Sequence, residues 1–181
     1  RLLPWESTFF GFSIAQLDPA CNSDLAAIDD YAAMLGIRLI QCCCNHDDRC
    51  LISRLEANRF ALAKRHVLFV RDVQPGFSGG GTCRLATTDD IPGLRYLAKG
   101  MFSGTRFFQP GFPLDKSREL YALWIEKAVR GEFDDICLVE GAPGQIRAFG
   151  TLRFVGPVKA RIGLIGVAPQ AQGGGLGRLM L

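Results

Sequence analysis

Apolar and polar positions alternate along 11–17 ("GFSIAQL"), the two-residue period of a strand with one buried face. Along 22–35 ("NSDLAAIDDYAAML") apolar residues recur at spacings of three and four, which predicts an amphipathic helix. The pattern then predicts a strand at 37–43 ("IRLIQCC"), a helix at 47–58 ("DDRCLISRLEAN") and a strand-rich segment at 60–72 ("FALAKRHVLFVRD"). This β-α-β-α-β order calls for helices packed on a sheet, an α/β or mixed α+β arrangement.

At 74–82 ("QPGFSGGGT") the periodicity stops and glycine, proline and serine take over, so a linker is expected between a half domain at 1–73 and a domain at 83–181. The second domain opens with a short strand at 84–87. A helix follows, capped by Thr87 or Thr88, with Asp89 and Asp90 at its positive end and Ile91, Leu94, Leu97, Ala98 and Met101 on its apolar face. Glycine and proline make 102–115 a loop. The next helix, 116–131, is expected to bury Leu120, Leu123, Trp124 and Ala128 and to stop at Gly131 in the left-handed conformation. Three strands, "DICLVE", "IRAFGTLRFV" and "ARIGLIGV", are joined by the turns "GAPGQ" and "GPVK".

The last of these strands runs into "VAPQAQGGGLGRLML". A strand, a glycine-rich turn and a helix in succession gather unpaired backbone N–H groups around one point, which suits a phosphate. Spacing separates the phosphate loops. A Walker loop needs G-K followed by Ser or Thr, but Gly177 is followed by Arg178 and Leu179; a dinucleotide loop needs G-x-G-x-x-G, but counting from Gly173 or Gly175 ends on Arg178 or Met180. What fits is Q-x-x-G-x-G, formed by Gln172, Gly173, Gly174, Gly175, Leu176 and Gly177 after Val167, Ala168 and Pro169.

Composition narrows the class. The 181 residues are 48% hydrophobic, enough for a core, and a net charge of +3 without a basic block argues against nucleic acid. No apolar run approaches the roughly 18 residues of a membrane span, and the N-terminal stretch lacks the pattern of a signal peptide, so a soluble cytoplasmic protein is expected. Seven cysteines, an odd number, point to reduced thiols. The cluster Cys42, Cys43, Cys44, Cys50 and His46 has no C-x-x-C pair, so buried structural thiols are expected and no metal site.

The pattern V-x-P-x-x-Q-G-x-G-L-G at 167–177 resembles the coenzyme A pyrophosphate loop of the GNAT superfamily of N-acetyltransferases. The order of elements before it resembles the N-terminal half of that acyltransferase fold. Further segments, "WESTFFGFSIAQL", "DIPGLRYLAKGMFSGTRF", "YALWIEKAVRGEFDDICL" and "ARIGL", resemble a branch that acetylates the 4-amino group of dTDP-4-amino-4,6-dideoxygalactose for bacterial surface polysaccharide, including enterobacterial common antigen. The run "AAMLGIRLIQCCCNHDDRCLISRLEANRF" is similar to the later part of such a domain, with Arg59 where the family has glycine, so residues 1–73 are read as a degenerate half domain that binds no coenzyme.

The resemblance implies acetyl-CoA as cosubstrate, no metal, a nucleotide-sugar acceptor and a homodimer. It implies that backbone groups of Leu164, Ile165, Gly166 and Val167 pair with the pantetheine arm, and that Gln172 to Gly177, with Arg178, hold the pyrophosphate. In the loop between the two helices of the second domain, Arg106 suits a sugar-nucleotide phosphate and Phe107 or Phe108 a base or sugar face. No general base stands on "ARIGLIGV"; Glu140 is a fallback, expected to be a solvated strand end. The superfamily's tyrosine acid lies beyond this loop, and Tyr121 is expected to pack its helix. The sequence is therefore expected to omit residues at both ends, including the last part of the fold. The alternative, residues 1–73 completing the sheet in permuted order, requires a strand paired beside "RIGLIGV". Two further readings stay open: another amine acceptor such as a protein N-terminus or polyamine, and a non-catalytic coenzyme A-binding module.

Overall fold

A computed structural model describes residues 1–20, 25–72 and 82–181. The expected linker, apart from Thr82, and the start of the helix expected at 22–35 lie outside the described residues. Packing divides the chain into two units: Arg1–Phe69 with Thr105–Lys116, and Val70–Gly104 with Ser117–Leu181.

In the first unit, helix α1 (Pro4–Phe10) precedes strand β1 (Ser13–Leu17), and helix α2 (Ile28–Met34) leads to strand β2 (Ile37–Cys42). The two strands pair in parallel, a pairing that needs a crossover connection, which here includes α2. Helix α3 (Arg49–Ala57) is capped by the Asp48 side chain and buries Leu51 and Leu55 against Leu25, with Leu17, Ile28 and Phe60 around them. Periodicity misses α1, although Pro4 inside its start and Gly11 just past its end are boundary signals of a short helix. Ser7 fastens it: its hydroxyl donates to the Leu3 carbonyl at 2.7 Å and accepts from the Ile14 N–H at 2.9 Å. Arg59 holds φ of 64°, the left-handed conformation in which the resemblance expects glycine, and there the Phe60 N–H reaches back to the Leu55 carbonyl.

Two expectations for this half fail. Residues 60–72 form no strand: Val67, Leu68, Phe69 and Val70 are 76–88% exposed. Alternation marks a chain able to pair, but a ladder needs a partner strand and a surface to cover. The cysteines are not uniformly buried either. Cys43 and Cys50 are exposed, Cys42, Cys44 and Cys83 are half-buried, and only Cys137 among the described ones is buried, which pushes its thiol up to about 12, with the nearby Asp134 and Asp90 carboxylates adding to the effect. Among the described residues no cluster of three metal-ligating side chains forms, and no helix is long and apolar enough to cross a membrane.

The second unit is a four-stranded antiparallel sheet in the order β3 (Arg84–Leu85), β4 (Ile136–Glu140), β5 (Ala148–Phe154), β6 (Ala160–Val167). Helices α4 (Ile91–Met101) and α5 (Leu114–Val129) supply Leu94, Ala98, Leu120 and Ile125 to a core shared with Val139 and Phe149. In α5 the buried side is rotated from the expected one: Tyr121 and Ile125 are buried, while Leu123 and Trp124 are half-buried. Trp124 sits there because its indole N–H donates to Asp134 at 3.1 Å, and a polar tip with a partner favours a boundary position. Gly131 ends the helix at φ of 71°, with the Glu132 N–H donating to the Lys127 carbonyl. Strands β1 and β2 form a two-stranded sheet, with Leu2 bridging Ala15 of β1, and among the described residues no strand pairs with the outer edge of β6. The observed architecture is a mixed α/β arrangement with helices on an antiparallel sheet.

Candidate functional site

Strand β6 ends at Val167, and Ala168 makes one more ladder bond, its N–H donating to the Arg147 carbonyl at 2.7 Å. The chain then turns through Pro169–Ala171 into the glycines and a short helix α6 (Leu176–Leu179). Gly173 and Gly175 hold φ of 83° and 79°, a region that costs other residues roughly 1–2 kcal/mol. Gln172 braces the turn, its side-chain amide donating to the Val167 carbonyl at 3.3 Å. From Gly173 to Gly177 no backbone N–H donates to an acceptor among the described residues, whereas Arg178 and Leu179 both donate to the Gly175 carbonyl. Five successive donors thus stand exposed or half-exposed on one loop, with the Arg178 side chain exposed beside them. An anion with several oxygens is the partner that such a row of donors suits.

The strand before the loop presents its backbone selectively. Opposite Thr151 the register shifts, so that Gly150 pairs with Ile165 but Leu152 with Ile162, which makes a bulge at Gly163 and Leu164. Leu164 is buried, and its N–H donates to the Thr151 hydroxyl at 2.8 Å. With the N–H groups of Leu164 and Ala168 both turned toward β5, alternation turns those of Ile165 and Val167 to the open edge and that of Gly166 inward. Of the four residues expected to meet a pantetheine arm, Ile165 and Val167 present backbone groups outward. Gly166 instead serves the packing of the sheet, since a Cβ there would meet Met101 and the Phe149 ring at 2.6–2.7 Å.

Glu140 is not a solvated strand end. It is 2% exposed, accepts from the Arg147 Nε at 2.8 Å and from the Thr82 hydroxyl at 3.2 Å, and Arg147 holds its carboxyl below the usual range. A carboxylate paired in this way is a poor proton acceptor. Tyr121 is buried and stacks on Phe102 at 4.7 Å. In the first unit, Arg106 donates to Glu6 at 2.7 Å and lies 4.4 Å over the Phe107 ring, its side chain 41% exposed. Phe107 is buried against Phe10 and Phe112, and Phe108 is half-buried.

Three features escape sequence reasoning. A cavity of about 650 Å³ lies between Tyr96 on α4, the β4–β5 turn with Gln145 and Arg147, and Gln170 just before the glycine loop. Its size is that of a small-molecule site. The second is the pairing of Glu6 with Arg106, across a hundred residues. The third is the contact of Thr151 with Asp134; its only signal is a polar residue inside a strand that reads as apolar. The cavity lining is scattered over residues 93–170 and carries no spacing signal.

No protein-family model matches the chain. The dTDP-fucosamine acetyltransferase of Escherichia coli O6:H1 (strain CFT073) is 34% identical over 164 residues, which span 90% of this chain and 71% of that protein. Identity of that degree, running through both units rather than through one loop, shows that this chain belongs to the dTDP-fucosamine acetyltransferase family.

Proposed function

We propose that the protein is a GNAT-type N-acetyltransferase that moves an acetyl group from acetyl-CoA to the 4-amino group of dTDP-4-amino-4,6-dideoxygalactose, for surface-polysaccharide synthesis. The observation that carries this reading is the row of five free N–H donors at 173–177, at the end of a strand whose open edge offers Ile165 and Val167. That arrangement fits a coenzyme with a pyrophosphate and an extended amide-bearing arm. The relative's name supplies the nucleotide sugar.

In this reading the loop N–H groups fix the coenzyme and the Ile165 N–H polarises the thioester carbonyl, where a donor aimed at the developing oxyanion is most effective. Arg106 and Phe108 are proposed to meet the acceptor, Arg106 retaining Glu6 as its partner. Proton removal falls to solvent or to the amine's own equilibrium, since Glu140 is engaged by Arg147.

The test is thiol release from acetyl-CoA by the full-length protein with this nucleotide sugar as acceptor. Saturable turnover is the expected result. Tight coenzyme A binding with turnover only on a polyamine or a peptide N-terminus would overturn the acceptor, and no coenzyme A binding at all would overturn the reading. In the same assay Glu140→Gln is expected to lower the melting temperature and leave the pH–rate profile in place; a shift of its acid limb would make Glu140 the base.

A further inference from the structure

We propose that Thr151, held by Asp134, is a positioning residue for acetyl transfer: its hydroxyl locks the β6 bulge and so aims the Ile165 N–H at the reacting carbonyl. This rests on the N-acetyltransferase reading above and extends it to residues outside the loop and the open edge.

The bulge sets two residues of β6, Gly163 and Leu164, against the single residue Thr151 of β5. A bulge leaves one backbone group out of the ladder, and a buried N–H left unpaired is costly. Here the Leu164 N–H is taken by the Thr151 hydroxyl at 2.8 Å, and that hydroxyl donates in turn to Asp134 Oδ2 at 2.5 Å. The Trp124 indole N–H donates to the same oxygen at 3.1 Å, which fixes the carboxylate from the α5 side. Thr151 is fully buried and Asp134 is 4% exposed, so solvent does not substitute for either. Gly163 completes the lock by lacking a side chain: a Cβ there would collide with Asp134 and stand 2.7 Å from the Thr151 hydroxyl.

The consequence falls on the neighbouring residue. In a strand a one-residue slip turns each side chain and each N–H to the other side. If the bulge relaxed by one residue, the Ile165 N–H would turn inward and that of Gly166 outward. The bulge therefore decides which amide the open edge offers, and a misplacement of about 1 Å at a reacting centre costs about 100-fold in rate.

Thr151→Val removes the hydroxyl at nearly constant volume, and Thr151→Ser keeps it. In the full-length enzyme, Thr151→Val is expected to lower kcat about 100-fold while KM for acetyl-CoA changes less than three-fold, because the loop at 173–177 is untouched. Thr151→Ser is expected to stay within about five-fold of wild type. Backbone amide exchange supplies a readout independent of turnover and of whether the valine variant folds: in the wild type the Leu164 amide is expected among the slowest to exchange. Unchanged kcat in the valine variant, equal losses in the valine and serine variants, or fast exchange at Leu164 in the wild type would each overturn the proposal. If the wild type transfers acetyl to no amine, the function reading fails, and Leu164 exchange still decides whether the hydroxyl holds the bulge.

Discussion

Replacing both Gly173 and Gly175 by alanine is expected to weaken coenzyme A binding by about 100-fold or more. Each glycine sits at φ near 80°, where a Cβ costs roughly 1–2 kcal/mol. The loop can relieve that strain only by rotating the peptide planes on either side, and those planes carry the N–H groups that point outward. A hydrogen bond to a charged acceptor contributes about 1.5–3 kcal/mol, so two lost donors account for the factor. Around both glycines a Cβ would meet nothing within 4 Å, so the substitutions crowd no neighbour. The effect should therefore appear in the Kd measured by calorimetry and leave the melting temperature within a few degrees. Affinity within two-fold of wild type would show that this loop does not hold the coenzyme.

Asp90→Ala is expected to destabilise the second unit by about 2–3 kcal/mol, the scale of a lost charge-assisted hydrogen bond. Asp90 is fully buried and receives both Nη atoms of Arg84 at 2.7 Å, while its Oδ2 also accepts the Thr87 N–H at 2.8 Å. It thus joins the β3 end to the start of α4 and satisfies a donor at the capping turn. Truncation leaves a guanidinium and an N–H without their partner. The Arg84 bonds, helped by the Thr87 N–H, lower the Asp90 carboxyl from 3.8 to about 2. A carboxyl lowered on folding stabilises the protein above its unfolded value, and that contribution fades as pH falls from about 4 through about 2. It amounts to about 1–2 kcal/mol after allowance for solvent screening. Urea unfolding at pH 7 and pH 3 is the check: the gap between wild type and Asp90→Ala should narrow at the lower pH. A gap independent of pH would mean that the ion pair carries none of the stability.

Much of the second unit was legible because its elements are local. Strand β6 at 160–167 matches its expected bounds, and Gly131 takes the left-handed conformation its place after α5 demands. The glycine loop was legible for the same reason: a backbone that must adopt positive φ admits few residues, so Gly173 and Gly175 mark themselves. In the first half of the chain, α1 went unseen because a seven-residue helix carries too few turns for its period to register, and 60–72 looked like a strand because alternation records potential rather than pairing.

The chemistry divides along the same line. Residues contiguous in sequence determined the turn and its positive-φ glycines, because a short peptide's geometry follows from its own dihedral preferences. The sequence also determined the family, since identity through both units survives without any knowledge of contacts. Tertiary structure alone decided that Glu140 is buried against Arg147, that Leu164 gives its N–H to Thr151 and leaves Ile165 facing outward, and that Arg106 answers to Glu6. Each of these depends on which groups the fold brings together. Burial obliges a polar group to find a partner, but only the packed chain determines which partner is within reach.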